Sequence, residues 1–131
     1  MNAEHTKHLI EKYPELYRGH KLPITQNLMS FGFEHGDGWF VLVDNLSALI
    51  TLLDKRDGSE TIAVQVKEKF GGLRYYVEGG TEAVWKAIEE AEALSERTCE
   101  WCGEPGKERG GGWIYTLCDA CWSKKQGEEQ R

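Results

Sequence analysis

The sequence predicts an α+β protein: two long helices packed on a β-hairpin or small antiparallel sheet, with a small cysteine module docked at the C-terminal end. Apolar residues repeat at helical spacing in segments 37–54 and 81–97, and they alternate in segment 60–78. Four cysteines follow as two C-x2-C pairs, with fifteen residues between the pairs. We therefore divide the chain into an α+β domain (1–97), a cysteine module (98–122) and a disordered tail (123–131).

The first long helix is predicted from an apolar stripe that follows the i, i+3, i+4 rule. We expect Asp37 to cap it, because a carboxylate can accept the first unpaired N–H groups, and Asp57-Gly58 to end it. Additional apolar residues at Val41 and Leu52 suggest that more than one side is covered. The predicted stripe contains Trp39, Leu42, Val43, Leu46, Leu49, Ile50 and Leu53.

The second long helix is predicted to begin after Thr81, whose hydroxyl group is a favoured N-cap. Its polar side carries five glutamates and is expected to face water. This helix runs into the cysteine module without a linker, which favours a docked module. The predicted core stripe contains Val84, Trp85, Ile88, Ala91 and Leu94.

The hairpin carries the first candidate binding site. If Gly71-Gly72 is the turn, Lys69 lies opposite Arg74, and this opposition of like charges favours an acidic neighbour or an anionic partner. Lys67 and Tyr76 share that face, and cations with exposed N–H groups and an aromatic ring suit a phosphate or nucleotide. The alternative is a solvated charged face that pairs with nearby Glu side chains and protects a sheet edge.

The cysteine module has the ligand spacing of a metal site. Cys99, Cys102, Cys118 and Cys121 match a four-thiolate zinc pattern, and glycines between the pairs can form the turns of a hairpin. Four thiolates leave no coordination position for water, so we predict one structural Zn²⁺ in a docked four-cysteine zinc ribbon. Two disulfide bonds or a redox pair are the alternatives.

Composition restricts the partners. The net charge is −6, and residues 99–122 contain four acidic residues against only Lys107 and Arg109. A protein that neutralises a phosphate backbone needs clustered cations, so binding to long nucleic acid is the less favoured function. No apolar run approaches the roughly 20 residues of a membrane span, and no signal peptide is evident, so we expect a cytoplasmic protein.

His35 and Asp37 form a second candidate site, because a histidine and a carboxylate could act as a base and its orienting partner. The alternative is that Gly36-Asp37-Gly38 simply opens a helix. A small hydrolase built around His35, Asp37 and Arg74 is therefore a third possible function. The sequence contains no nucleophile motif such as G-x-S-x-G, no P-loop and no H-E-x-x-H.

Three stretches together resemble a widespread family of small phage and prophage proteins. They are GFEHGDGWFVLVDNL (32–46), VKEKFGGLRYYV (66–77), and the cysteine pairs within TCEWCGEPGK (98–107) and GGWIYTLCDAC (111–121). The resemblance implies a phage or prophage setting and a host cytoplasm, but it implies no reaction. We therefore expect a non-enzymatic accessory protein that binds a host or phage protein or a small anionic nucleotide, with counter-defence as one role it could serve.

Overall fold

The computed structural model describes residues 1–129, which form a mixed α/β fold of four α-helices and two small sheets. The helices are α1 (Ala3–Lys12), α2 (Phe40–Asp57), α3 (Glu82–Ser95) and α4 (Asp119–Glu129). The larger sheet contains β1 (Phe33–Glu34), β2 (Ile62–Lys69) and β3 (Gly72–Glu78), and the smaller contains β4 (Lys107–Arg109) and β5 (Tyr115–Leu117). The predicted combination of helices and small sheets is confirmed, and α1 and α4 add to the two helices on which that prediction was built.

The helix α2 differs from its prediction at the start and agrees at the end. Asp37–Trp39 forms a 3-10 turn, so α2 begins only at Phe40. The predicted cap is wrong, because the carboxylate of Asp37 accepts the N–H of Asn2 at 2.7 Å instead. Gly58 ends the helix with φ of 68°, a left-handed conformation that glycine adopts without a Cβ clash.

Only one side of α2 and α3 is buried. Both helices pack against each other and α3 also packs on β3. Leu49 is 41% exposed and Trp85 is 47% exposed, and Leu94 is also largely exposed, so these three predicted core residues lie outside the core. Val41 and Leu52 are each 65% exposed, because a three-stranded sheet covers one side of the helices and the described chain leaves the other side open.

The larger sheet is mixed instead of purely antiparallel. β1 pairs in parallel with β2, with Phe33 in register with Val66, whereas β2 and β3 form the predicted antiparallel hairpin. The two residues of β1 are too few to show an alternating pattern in the sequence. The N-terminal amino group lies against β1 and donates to the carbonyl oxygens of Phe33 and His35.

The hairpin register is shifted from the predicted one. Lys69 lies opposite Gly72, and Phe70 and Gly71 are the two turn residues, with φ of 54° and 80°. Lys67 is therefore the residue opposite Arg74, and the predicted opposition of Lys69 and Arg74 is wrong. A bulge between Ala63 and Gln65 also shifts the register at the start of β2, where Ala63 is fully buried.

The start of α3 agrees with the prediction, since the Thr81 hydroxyl accepts the N–H of Val84. The C-terminal half of α3 covers the free edge of β3. Ser95 Oγ accepts the N–H of Leu73 at 2.9 Å, and the carboxylate of Glu92 accepts the N–H of Tyr75 at 3.0 Å. Glu92 is therefore tied to the sheet instead of lying on a purely solvated side as expected.

The C-terminal segment is helical. Residues 123–129 continue α4, so the prediction of disorder is wrong for them, and residues 130 and 131 lie outside the described part of the chain. α4 starts inside the second cysteine pair, and the ammonium group of Lys125 lies 4.4 Å from the centroid of the Tyr115 ring. Because the cysteine module anchors this helix at its first turn, a polar composition alone was a poor guide.

We find no helix in residues 1–129 with the length and apolar character that crossing a membrane requires.

Candidate functional site

The four cysteines converge on one point. Their Sγ atoms all lie within 4.8 Å of one another, and the Sγ atoms of Cys102 and Cys118 are 3.7 Å apart. Sulfurs around one tetrahedral Zn²⁺ at about 2.3 Å would be about 3.8 Å apart, whereas disulfide sulfurs are about 2 Å apart. All four are free thiols, so the geometry fits a bound metal ion and does not fit two disulfide bonds.

Backbone geometry prepares these sulfurs to act as ligands. The N–H of Cys121 donates to Sγ of Cys118 at 3.4 Å, and this hydrogen bond lowers the pKa of Cys118 to about 7. Gly103 has φ of 84°, so the chain bends directly after Cys102. Burial raises the pKa of Cys121 to about 12, so this thiol becomes a thiolate ligand at neutral pH only when a cation balances its charge.

The cysteine module contacts the body, which we define as residues 1–97, through two glycines. The N–H of Gly38 donates to the carbonyl oxygen of Glu100 at 2.8 Å, and the N–H of Gly36 donates to the Glu100 carboxylate at 2.9 Å. A Cβ on Gly38 would lie 2.1 Å from the carbonyl oxygen of Cys99. The Gly-Asp-Gly sequence therefore allows the two backbones to approach closely.

Two side chains extend this contact. The indole N–H of the fully buried Trp39 donates to the carbonyl oxygen of Thr98 at 2.8 Å. The hydroxyl group of Thr116 on β5 donates to the carbonyl oxygen of Gly71 at 2.5 Å. The segment around Trp39, the hairpin turn and the cysteine module, which were three separate motifs in the sequence, therefore meet in one interface.

The candidate pair of His35 and Asp37, which the sequence offered as a base and its orienting partner, is not formed. Nδ1 of His35 lies 2.8 Å from the carbonyl oxygen of Gly36, and its buried Nε2 has no hydrogen-bond partner among the described residues. Burial lowers the pKa of His35 to about 4. Arg74 lies on β3, the strand at the opposite edge of the sheet from β1, which His35 follows, so the three hydrolase residues do not form one site.

Asp37 pairs with a histidine that sequence reasoning did not connect to it. Its Oδ1 atom lies 3.1 Å from Nδ1 of His5, and the His5 ring stacks on Phe40 with centroids 3.9 Å apart. The hydrogen bond from the Asn2 N–H is the main reason why the pKa of Asp37 is lowered. These contacts hold α1 against the start of α2, and no sequence signal links residues so far apart.

The predicted binding residues Lys67, Lys69, Arg74 and Tyr76 share one side of the sheet, which we name the outward sheet face. Lys67 pairs directly with Arg74, and the other two follow by the alternation of side chains along each strand. Within residues 1–129, none of the three cations forms an ion pair with an acidic side chain, although Glu34 lies in register with Lys67. Among the described residues, the guanidinium group of Arg74 donates only to the carbonyl oxygen of Leu73.

The cations of the cysteine module are arranged differently. Arg109 is only 13% exposed; its guanidinium group donates to the carbonyl oxygen of Leu117 at 3.1 Å and to Asp119 at 2.5 Å. Arg109 therefore holds the module together and is not presented to a phosphate. Lys107 is exposed and is the other basic residue of the module.

The aromatic residues of the hairpin turn and the module differ in exposure. Trp113 is 68% exposed, whereas Trp122 lies near Tyr115 with ring centroids 6.4 Å apart. Phe70 is 71% exposed, because the shifted register places it in the turn.

Comparison of the chain with protein-family models, curated proteins and solved structures finds no significant match.

Proposed function

We propose that the protein is a non-enzymatic binding protein, stabilised by one structural zinc ion, whose outward sheet face binds a compact anion. The observation that supports this proposal most strongly is the direct pairing of Lys67 with Arg74 on a face where neither forms an ion pair with any described acidic residue. Two like charges at one cross-strand position destabilise the sheet unless an anion lies near them. A mononucleotide is the ligand we favour, and a carboxylate cluster on a host or phage protein offers the same charge.

The proposed ligand is compact because of the charge of the whole protein. At a net charge of −6, a long phosphate backbone would be repelled from most of the surface. The internal position of Arg109 also removes one of the two cations that a nucleic-acid-binding ribbon would use. Nucleic-acid binding therefore remains the weaker alternative.

The proposed ion is zinc because, within residues 1–129, the ligand group consists of four cysteine sulfurs with no carboxylate or imidazole among them. With every coordination position filled by sulfur, the ion would have a structural role. It would hold the segment that bonds to Gly36 and Gly38, and through Thr116 it would position the hairpin turn. The resemblance to phage and prophage proteins supports a setting in the host cytoplasm.

A calorimetric titration of the metal-loaded protein with AMP tests the binding proposal. Arg74→Lys should weaken binding about tenfold although the charge is kept, because only arginine can hold a phosphate with two parallel hydrogen bonds. Lys86→Ala, an exposed lysine on α3, is the matched control and should bind as the wild type does. Normal binding by both Arg74→Lys and Lys69→Ala, or no binding of AMP at all, would contradict the proposal.

A further inference from the structure

Phe70 combines a strained backbone conformation with an exposed side chain. It is the first of the two turn residues of the hairpin and has φ of 54°, the one non-glycine residue with positive φ in the described chain. Glycine and asparagine are the residues that such a turn favours, and a bulky side chain is strained there. The ring is also 71% exposed, so burial in the core does not offset the strain. Backbone strain that no packing interaction offsets is typical of functional positions.

A second exposed aromatic residue lies across a cleft from Phe70. Trp113 is 68% exposed and lines, with Phe70 and Lys69, a cleft of about 180 Å³ between the hairpin turn and the loop before β5. Glu68, Gly112 and Ile114 line the remainder. The cleft thus presents two aromatic rings, one cation and one carboxylate to solvent.

The walls of this cleft are held in place by the interface described above. The hydroxyl group of Thr116 donates to the carbonyl oxygen of Gly71, and a Cβ on Gly71 would lie 3.0 Å from the Ile114 side chain. The carboxylate of Glu68 accepts the N–H of Gly71 at 2.8 Å, which fixes the turn from the other side. These contacts hold the hairpin turn against β5, so the backbone segments that carry the two rings are positioned before a ligand arrives.

We propose that this cleft binds the base of a nucleoside monophosphate, with its ring stacked between Phe70 and Trp113 and its phosphate directed to the outward sheet face. The proposal rests on the proposed function and specifies its ligand. Lys69 connects the two parts, since it lines the cleft and shares its face with Lys67, two residues away and about 7 Å along the strand. Its ammonium group lies 5.6 Å from the centroid of the Phe70 ring.

The charges in the cleft favour a base over a second anionic group. One carboxylate oxygen of Glu68 is used by Gly71, and the other can accept an N–H from a nucleobase while it repels a phosphate. The cations on the outward sheet face provide the opposite preference. This arrangement distinguishes a nucleotide, which has one apolar planar end and one anionic end, from inorganic phosphate.

The test compares AMP with ribose 5-phosphate, which lacks only the base, in calorimetric titrations of the metal-loaded full chain. Stacking of one base between two rings predicts that the wild type binds AMP at least about tenfold more tightly than ribose 5-phosphate. Phe70→Asn should abolish that difference and leave ribose 5-phosphate binding unchanged. Because Asn-Gly is a favoured hairpin turn, the same variant should unfold at the same or a higher temperature than the wild type.

Two further variants complete the design. Trp113→Ala should also abolish the preference for AMP, and it changes an exposed loop residue. Phe31→Asn, at a ring that is 58% exposed and distant in the sequence from the cleft, is the matched control and should retain the preference.

Each adverse outcome has a distinct meaning. Equal binding of AMP and ribose 5-phosphate by the wild type would overturn the stacking inference and leave the anion-binding proposal standing. Absence of binding for both ligands would overturn both proposals. A large loss of stability in Phe70→Asn would show that Phe70 supports the fold, and affinity for oligoadenylate that rises steeply with length would assign the cleft to single-stranded nucleic acid instead.

Discussion

The body and the cysteine module are stabilised by different means. Within the described residues the body buries one cluster of twenty apolar residues, which is enough to support a fold of its size. The cluster of the cysteine module has three buried residues, and two of them, Cys99 and Cys121, are among the four proposed metal ligands. A module with so little apolar burial depends on its metal ion, whereas the body depends on packing.

This difference assigns a role to the interface between the two regions. On the side of the body, the N–H groups of Gly36 and Gly38 are the donors. On the side of the module, the carboxylate and the carbonyl oxygen of Glu100 accept them. These hydrogen bonds fix the position of the module relative to the body, but they bury little apolar surface. The module should therefore come apart locally without unfolding the body, and the hairpin turn should lose a support when it does.

The largest effect is expected from Cys118→Ser. Loss of one thiolate forfeits much of a binding free energy that is on the order of 10–16 kcal/mol for structural zinc sites. Wild-type protein should contain about one zinc ion per chain, and the variant should contain far less, as measured by elemental analysis. Ala120→Ser, which adds a hydroxyl group between Cys118 and Cys121 in the sequence, is the control and should keep its metal. Equal metal content in both variants would contradict a four-thiolate site.

A large effect on the body is expected from Leu46→Ala. Leu46 is 4% exposed, and removal of a buried leucine usually costs about 2–5 kcal/mol of unfolding free energy. Leu52→Ala in the same helix is the control, since Leu52 is 65% exposed and its removal should cost less than about 0.5 kcal/mol. Denaturant unfolding measures both. Comparable losses in the two variants would mean that the core lies elsewhere on α2.

A pH-dependent effect is expected from His35. Burial lowers its pKa from 6.5 to about 4, so the unfolded chain binds a proton between those values that the folded chain does not. Stability should be fully present above pH 6.5 and should fall by about 3 kcal/mol as the pH drops to 4. In His35→Gln this fraction of the acid destabilisation should disappear, as determined by unfolding at several pH values. A variant that follows the wild-type curve would show that His35 titrates normally.

The smallest of these effects is expected from Gly38→Ala, which acts on the interface alone. Its Cβ would meet the carbonyl oxygen of Cys99 at 2.1 Å, and overpacking of this kind typically costs about 1–3 kcal/mol. Gly111→Ala is the control, because a Cβ there meets no atom within 4 Å. Thermal unfolding should shift for the first variant only. An equal shift of the unfolding temperature in both variants would show that the close contact at Gly38 does not stabilise the protein.

The same contrast explains what the sequence could predict. Thr81 was identified as a cap and the cysteines as a ligand set because both signals depend on residues close together in the chain. The hairpin register was not, because Phe70-Gly71-Gly72 permits two turns. The contacts of Glu68 with Gly71 and of Ser95 with Leu73 accompany the observed one. The role of Gly36 and Gly38 depends on Glu100, a residue more than sixty positions away.

The most direct test of the central claim is amide hydrogen exchange of the wild-type protein, with zinc bound and after removal of the ion by a chelator. Amides of residues 98–122 should lose most of their protection without metal, while those of α2 and β3 should keep theirs, apart from a smaller loss at the hairpin turn. Equal loss of protection in α2 and in the cysteine module, or full protection of the module without metal, would contradict it.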